Sequence, residues 1–161
     1  MEEDLWEFRS ELQSAAERVY ITNFFGAKSL KKLEAKGISH VLVCAAELPF
    51  VFEKQLCYKR LNVADNTHVV LPFNEALEFI DSALAENERT NVLVHCAAGS
   101  SRSGAIYVAW MMRSQRIPLK MALKKTKTVR PIVLPNPGFI EQLNIYQKEL
   151  GISDEQDDES A

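Results

Sequence analysis

The chain has 161 residues, of which 47% are hydrophobic and 25% are charged, proportions typical of one globular domain long enough to bury a core. Its formal net charge of −3 argues against a bulk attraction to nucleic acid or to an anionic membrane, so we expect no nucleic-acid partner. The three cysteines, Cys44, Cys57 and Cys96, form no CxxC pair, which argues against a disulfide framework or a zinc site and favours a reducing compartment.

The N-terminal sequence, MEEDLWEFRSE, is acidic and amphipathic and lacks the basic and apolar regions of a secretory signal peptide. No apolar run approaches the roughly 18 residues that a membrane span needs, so we expect no membrane insertion. We therefore expect a cytoplasmic protein, with a nuclear location also open.

Strand and helix patterns alternate through the first half of the chain. They predict strands over 18–23, 38–44 and 57–63, a helix over 27–36, and a second helix that begins at Pro72. Gly37 suits the C′ position that ends the first helix. In the second helix, one face carries the apolar residues Phe73, Leu77, Ile80 and Leu84.

The second half begins with the continuous apolar run NVLVH (91–95), as expected for a central parallel strand. A helix from about Ser101 to Ser114 is apolar on most sides and should lie in the centre of the molecule. Two further helices follow, one from Pro118 to about Val129 and one after PNPG that carries Phe139, Leu143, Tyr146 and Leu150.

This alternation predicts an α/β fold with helices on both faces of a mostly parallel sheet. No repeat or linker divides the pattern, so residues 1–150 should form a single domain, which we expect to be a monomer. Residues 151–161 are acidic and nearly devoid of apolar side chains, which predicts a disordered tail.

A loop of small or polar residues joins the 91–95 strand to the central helix. It runs from Cys96 through Ala97, Ala98, Gly99, Ser100 and Ser101 to Arg102. In open α/β sheets ligands bind at the carboxyl ends of strands, and a helix N-terminus adds positive potential there. The backbone N–H groups of such a loop can converge on one point, and Arg102 can donate to two oxygens of a phosphate. The loop therefore predicts a phosphate-binding site.

Cys96 lies at the base of this predicted site. Helix N-termini and neighbouring cations lower the pKa of a cysteine thiol from about 8.5 to roughly 3.5–7.5, so we expect a thiolate at neutral pH. A thiolate beneath a bound phosphate is a nucleophile aimed at phosphorus. The hydroxyl of Ser103 could donate to that thiolate when sulfur leaves. The alternative interpretation is a buried cysteine at the end of a strand, beside a serine that caps the helix.

The segment HCAAGSSRSG (95–104) resembles the signature HCxxGxxR[ST] of the cysteine-dependent protein tyrosine phosphatases, and its Ser-Arg-Ser form is similar to the dual-specificity branch. LEAKGISHVLVCAAELP, LNVADN and VRPIVLPNPGFIEQLNIYQKEL resemble further blocks of that branch, so the likeness covers roughly residues 18–150. It implies the family's α/β fold, a central, mostly parallel mixed sheet of about five strands flanked by helices on both faces. Because Arg102 and the loop amides supply positive charge, we expect neither a metal nor another cofactor.

The loop ADNTHVVL (64–71) follows the predicted 57–63 strand, and Asp65 is its only carboxylate. A carboxylic acid there could protonate the leaving oxygen and later activate water. The other nearby carboxylates, Asp81, Glu86 and Glu88, lie on the polar flank or at the far end of the next helix. The resemblance agrees, because the family's general acid is the aspartate of this loop. An Asx-turn residue is the alternative interpretation of Asp65.

Two residues at strand ends have two interpretations each. His95 precedes the nucleophile, and it could hydrogen-bond the loop and tune Cys96 or be an ordinary core histidine. Cys44 closes the 38–44 strand. In some relatives a cysteine here forms a reversible disulfide with the nucleophile, whereas the alternative is a small buried hydrophobic residue.

The resemblance implies supporting roles for three more residues. Glu47 would hold Arg102 in position, and Asn136 and Arg130 would brace the phosphate-binding loop. Ordinary turn and surface positions are the alternative for Asn136 and Arg130.

Together these features predict a phosphomonoester hydrolase, a dual-specificity protein phosphatase with a role in signalling. It would act on phosphotyrosine and phosphoserine or phosphothreonine in proteins through a phosphocysteine intermediate, with phosphorylated proteins as partners. The predicted catalytic residues are Cys96, Arg102, Asp65 and Ser103. Two alternatives stay open: a phosphatase of phosphoinositides or RNA 5′-phosphates, and a non-catalytic module that binds phosphoproteins. The uncharged side chains of the loop disfavour a highly charged inositol lipid.

Overall fold

The structure of the protein is a computed structural model that describes residues 2–155. Its elements are α1 (Glu2–Arg9), β1 (Gln13–Ala16), β2 (Val19–Thr22), α2 (Phe24–Ala27), α3 (Leu30–Ala35), β3 (Ile38–Val43), β4 (Cys57–Arg60), α4 (Phe73–Glu86), β5 (Asn91–His95), α5 (Arg102–Gln115), α6 (Leu119–Val129) and α7 (Pro137–Glu149). None of the helices among residues 2–155 combines the length and the apolar character needed to cross a membrane.

Five strands form one mixed sheet in the order β1-β2-β5-β3-β4. β2, β5, β3 and β4 are parallel, and β1 pairs antiparallel with β2. This confirms the predicted fold class, a mostly parallel sheet with flanking helices. β5 lies at the centre and is buried from Val92 to His95, as its continuous apolar sequence predicts.

The strand order determines on which face of the sheet the crossover helices α3 and α4 lie. The connection from β2 to β3 passes along the sheet in one direction, and the connection from β4 to β5 passes in the other. Because parallel crossovers are right-handed, α3 and α4 lie on opposite faces of the sheet. α5 packs against α4, α6, α7 and the sheet, which explains why its sequence is apolar on most sides.

The predicted 27–36 helix is shorter in the structure, where α3 begins at Leu30 and a separate short helix, α2, ends at Ala27. Asn23 caps α2 by accepting a hydrogen bond from Gly26 N at 2.8 Å, and Ser29 caps α3 by accepting from Lys32 N at 3.3 Å. Two capping side chains six residues apart therefore begin two short helices. Gly37, with a φ of +63°, follows the end of α3 as predicted.

The short strand β1 has no apolar alternation in its sequence, QSAA, and was not predicted. Tyr107 of α5 connects β1 to its neighbour. Its hydroxyl accepts from Ala15 N at 2.9 Å and donates to Val19 O at 2.8 Å. A tertiary contact, not local propensity, therefore places this edge strand.

The first residues of the predicted tail pack against α7. Ile152 is 7% exposed, and Asp154 Oδ1 accepts a hydrogen bond from Gln147 Nε2 at 2.8 Å. The burial of Ile152 and this hydrogen bond attach the start of this acidic segment to the helix, so the packed chain extends past the predicted boundary at residue 150. The remainder of the predicted tail, 156–161, lies outside the described residues.

The carboxyl ends of the four parallel strands meet at one edge of the sheet. The segments that leave this edge carry Glu47 after β3, Asp65 after β4 and Cys96 after β5. Ligands of open α/β sheets bind at such an edge. The sheet therefore brings these three side chains, far apart in sequence, to one region.

Candidate active site

The segment 96–102 forms a loop between β5 and α5 whose carbonyl groups point away from its centre. The carbonyl oxygens of Ala97, Ala98, Gly99 and Ser100 accept hydrogen bonds at 3.0, 3.2, 2.8 and 3.1 Å from Phe24 N, Arg130 Nη2, Arg130 Nε and Leu134 N. In a trans peptide the N–H points opposite to the C=O, so the N–H groups of residues 98–101 face the centre of the loop. Converging N–H groups of this kind make a pocket for an anion.

Gly99 makes this path of the backbone possible. Its φ of +66° lies in the left-handed region that favours glycine. A Cβ atom at this position would lie 2.6 Å from both Thr22 O and Arg130 Nη2. Glycine is therefore required here both for its conformation and for the close approach of β2 and Arg130 to the loop.

Arg130 lies beneath the loop and is 1% exposed. Besides the carbonyls of the loop, its guanidinium binds Gln13 Oε1 through Nη1 at 2.5 Å. Burial lowers the pKa of Arg130 to about 10, and the charge of Cys96 opposes this effect. Arg130 is thus a cation at neutral pH, and it places buried positive charge behind the anion pocket.

Cys96 is 2% exposed at the start of the loop. Its Sγ lies 3.1 Å from Ser103 Oγ, and Ser103 is fully buried in the first turn of α5. A hydroxyl at this distance can donate to a thiolate sulfur. The N-terminus of α5 adds positive potential at the same place.

Arg102 is held by Glu47 through a bidentate ion pair. Its Nη1 donates to Glu47 Oε2 at 2.9 Å, and its Nη2 lies 2.7 Å from Glu47 Oε1. Nη1 also donates to Val63 O at 3.2 Å. A guanidinium has five N–H donors, so Nε and one N–H of Nη2 remain on the same edge to bind two phosphate oxygens.

In this ion pair, each side chain stabilises the charged form of the other. The hydrogen bond from Arg102 is the main cause that lowers the pKa of Glu47, with burial opposing it. Burial acts to lower the pKa of Arg102, but the hydrogen bond to Glu47 and the charges of Cys96, Glu47 and Asp65 together raise it. Both side chains are therefore ionised at neutral pH, and the guanidinium is fixed in orientation.

Asp65 is an exposed residue in the segment that follows β4, and its side chain lies beside the phosphate-binding loop. Its Oδ1 accepts from Ser101 Oγ at 2.7 Å and from Asn136 Nδ2 at 2.9 Å. Asn136 N donates to Ser101 Oγ at 2.9 Å, so the three residues form a closed network. Asn136 also caps α7, because its Oδ1 accepts from Phe139 N at 2.9 Å.

His95 is 1% exposed and lies at the end of β5, behind the loop. Its Nδ1 is 3.3 Å from Cys96 O, and its ring stacks with that of Phe24 at a centroid distance of 6.3 Å. Burial lowers the pKa of His95 to about 4, so the imidazole is neutral at pH 7. His95 thus lies against the backbone of the loop and contributes no charge to the site.

Cys44 is fully buried just beyond β3. Cys44 N donates to His95 O at 2.7 Å, which extends the β3–β5 pairing by one residue past Val43 and His95. Cys44 and Cys96 therefore follow paired residues on adjacent parallel strands. Burial, followed by the charge of Cys96, raises the pKa of the Cys44 thiol well above its usual value, while Arg102 opposes this.

A cavity of about 770 Å³ opens above the loop. Three of its lining residues are Cys96, Arg102 and Asp65. The others are Ala97, Ala98, Ser100, Ser101, Leu134, Pro135, Asn136, Pro137 and Ile140. One side is therefore polar and anion-binding, and the other is an apolar wall. A second cavity of about 460 Å³, between residues 70–75 and α7, is lined by neither cysteine nor arginine.

The structure brings together seven of the side chains singled out from the sequence. They are Cys96, Arg102, Ser101, Ser103, Glu47, Asp65 and Asn136. His95 and Cys44 lie behind the loop and do not line the cavity. Sequence reasoning missed Gln13 and the contacts that α7 makes with the Asp65 loop, because no local pattern relates residues so distant in the chain.

Residues 19–149 match the family model described as dual specificity phosphatase, catalytic domain. A curated Arabidopsis thaliana protein named dual specificity protein phosphatase 1 is 34% identical over 139 residues, 85% of this chain and 69% of that protein. Mouse dual specificity protein phosphatase 19 is 37% identical over 123 residues, which are 75% of this chain but 55% of that protein. The chain thus spans 69% of the first relative and 55% of the second.

Among solved structures, this chain is similar to a human tyrosine phosphatase-like serine/threonine/tyrosine-interacting protein. The TM-score is 0.81 with 29% sequence identity, and the match covers 88% of this chain and 98% of the other. The sheet and the flanking helices are therefore shared over nearly the whole described chain.

Proposed function

This chain belongs to the dual specificity protein phosphatases, and from that premise we propose that it hydrolyses phosphotyrosine and phosphoserine or phosphothreonine in proteins through a phosphocysteine intermediate. The observation that carries the proposal is the position of Cys96. Its sulfur lies at the base of a loop whose N–H groups face inward, 3.1 Å from the hydroxyl of Ser103. Such a site holds a phosphate directly above a nucleophile.

In the first step, the thiolate of Cys96 attacks phosphorus and the bond from phosphorus to the ester oxygen breaks. The N–H groups of residues 98–101 and the unused edge of Arg102 bind the equatorial oxygens, where negative charge has to be stabilised. Protonated Asp65 gives its proton to the leaving oxygen. The products are the free alcohol or phenol and a phosphocysteine.

In the second step, water attacks the phosphocysteine. The Asp65 carboxylate takes a proton from that water, and the bond between sulfur and phosphorus breaks. Ser103 donates a hydrogen bond to the sulfur as it leaves with the electron pair, which stabilises the thiolate. Inorganic phosphate is released and Asp65 is protonated again for the next cycle.

The lining of the cavity supports a protein substrate over a polyphosphorylated one. Of the described residues that line it, Arg102 is the only cation, and Glu47 already neutralises part of its charge. Phosphoinositides and RNA 5′-triphosphates carry further phosphate groups that need cations of their own. The apolar wall, with Leu134 63% exposed, suits the side chain that carries the phosphate in a protein.

A substrate comparison tests this proposal. We expect the purified chain to hydrolyse nitrophenyl phosphate in a vanadate-sensitive reaction, and to act on phosphotyrosine and phosphothreonine peptides at least about tenfold faster than on a phosphoinositide or a triphosphorylated RNA. The measurement is phosphate release at matched substrate concentrations. Binding of phosphopeptides without release would instead support the binding module, and faster release from the lipid or RNA would reverse the proposed substrate class.

We also propose that Cys44 acts as a resolving thiol for Cys96. Peroxide would oxidise the Cys96 thiolate to a sulfenic acid, and the Cys44 thiol would attack that sulfur, forming a disulfide and releasing water. The observation that favours this is the pairing of Val43 with His95, which sets the two cysteines directly after paired residues of adjacent strands, where backbone separations suit a disulfide. A reductant such as a dithiol would restore both thiols.

Recovery of activity after peroxide tests this second proposal. We expect the parent chain to regain most of its activity with reductant, and the Cys44→Ser variant to recover several-fold less because its sulfenic acid is oxidised further. Cys57→Ser is the matched control, since Cys57 is an exposed cysteine at the start of β4. Equal recovery of all three proteins would show that Cys44 is a buried packing residue.

A further inference from the structure

The carboxyl group of Asp65 is oriented by two donors that converge on one of its oxygens. Ser101 Oγ and Asn136 Nδ2 both donate to Oδ1, at 2.7 and 2.9 Å. Among the described residues, no hydrogen bond is directed at Oδ2. Two donors on one oxygen leave the other oxygen to carry the transferable proton.

The helix α7 contacts the rest of the Asp65 loop at two more points. Gly138 lies so close to the loop that a Cβ there would be 2.0 Å from Thr67 O. One turn further on, Gln142 accepts from Leu71 N through Oε1 and donates to Val69 O through Nε2, both at 2.8 Å. The N-cap residue Asn136 and two positions in the first two turns of α7 thus contact the loop at residues 65, 67, 69 and 71.

The loop needs this support because it buries little of itself. Most residues between 64 and 70 are exposed, and Leu71 at its end is the first buried side chain, at 4% exposure. A segment with so few buried contacts has low local stability. A general acid works only when it is within reach of the leaving oxygen, and a displacement of about 1 Å can cost a large part of the rate.

We propose that the first two turns of α7 hold the acid loop in its working position, and that Gln142 is a positioning residue for Asp65. This inference rests on the proposed function, in which Asp65 is the general acid. Gln142 does not line the phosphate-binding cavity; it lines the separate cavity of about 460 Å³. Its side chain therefore affects the reaction through the position of the loop backbone that carries Asp65.

The test compares two aryl phosphates in the Gln142→Met variant, which keeps the side-chain length and removes both hydrogen bonds. We expect kcat/KM for phenyl phosphate, which reports the first step and whose leaving oxygen needs a proton, to fall about tenfold. For nitrophenyl phosphate, whose leaving group needs little protonation, the expected fall in kcat/KM is below about twofold. Asn144→Ala, an exposed position on the same helix, is the control and should change neither rate.

Two further variants make the result specific. Gln142→Glu keeps an acceptor for Leu71 N and loses the donor to Val69 O, so its loss on phenyl phosphate should lie between the parent and Gln142→Met. In an Asp65→Ala background, Gln142→Met should cause no additional loss, because the acid that it positions is gone. Thermal melting establishes that each variant is folded.

Equal losses on both substrates, or the same loss in the Asp65→Ala background, would overturn the positioning role while leaving the proposed function intact. A parent chain with no activity on either aryl phosphate would instead overturn the proposed function and this inference with it.

Discussion

Replacing the nucleophile should have the largest effect of any single change in this protein. We expect Cys96→Ser to lower kcat for nitrophenyl phosphate by at least about a thousandfold, because the serine hydroxyl is not ionised at neutral pH and no phosphocysteine can form. Binding should persist, since the N–H groups of the loop and Arg102 do not depend on the sulfur. Phosphate release and calorimetric titration with a phosphotyrosine peptide measure the two effects.

The chain offers a matched control for this variant. Cys57→Ser makes the same chemical change at an exposed position at the amino end of β4, opposite the edge that carries the site, and should retain full activity. Turnover by Cys96→Ser at a rate near that of the parent would reject the phosphocysteine mechanism.

The second large effect is expected at Asp65. General acid catalysis contributes about 10²–10⁴-fold, so Asp65→Ala should lower kcat/KM for phenyl phosphate, which reports the first step, within that range. The loss of kcat/KM for nitrophenyl phosphate should be smaller, because its leaving group departs without full protonation. Binding of the phosphate group itself should be nearly unchanged, since it is bound by the loop and by Arg102. Steady-state kinetics on the two substrates measure the difference.

Asp81 provides the comparison for Asp65. It is another aspartate close in sequence, but it lies on α4 and pairs with Arg113. Exposed ion pairs contribute little to stability, so Asp81→Ala should keep the parent rate on both substrates. If instead Asp65→Ala lost the same factor on both aryl phosphates, Asp65 would have a structural role and the acid would have to be sought elsewhere.

Much of the fold could be predicted because its elements have strong local signals. The run 91–95 is continuously apolar, and it is the central strand of the sheet. The helix predicted from Ser101 to Ser114 is observed from Arg102 to Gln115. Its central position was predictable because a helix that is apolar on most sides has to be buried on most sides. β1 was missed since a strand at the sheet edge needs no apolar alternation, and Tyr107 supplies its anchor.

The candidate site divides in the same way. Cys96, Arg102 and Ser103 lie within eight residues, so their chemistry can be deduced from a single loop and the strand and helix beside it. Asp65 could be selected because its loop holds no other carboxylate and follows a strand. Neither argument could give the orientation of a side chain, which depends on groups from other parts of the chain.

By itself, therefore, the sequence determined the fold class and the kind of chemistry, because periodic burial and a short loop at a helix N-terminus are local properties of the chain. Only the tertiary structure decided how the groups are aimed. Arg130 turns the loop carbonyls outward from beneath, Glu47 orients Arg102 from across the sheet edge, and α7 holds the Asp65 loop. Each of these contacts joins residues more than 30 positions apart, and such pairings are set by the packing of the whole domain.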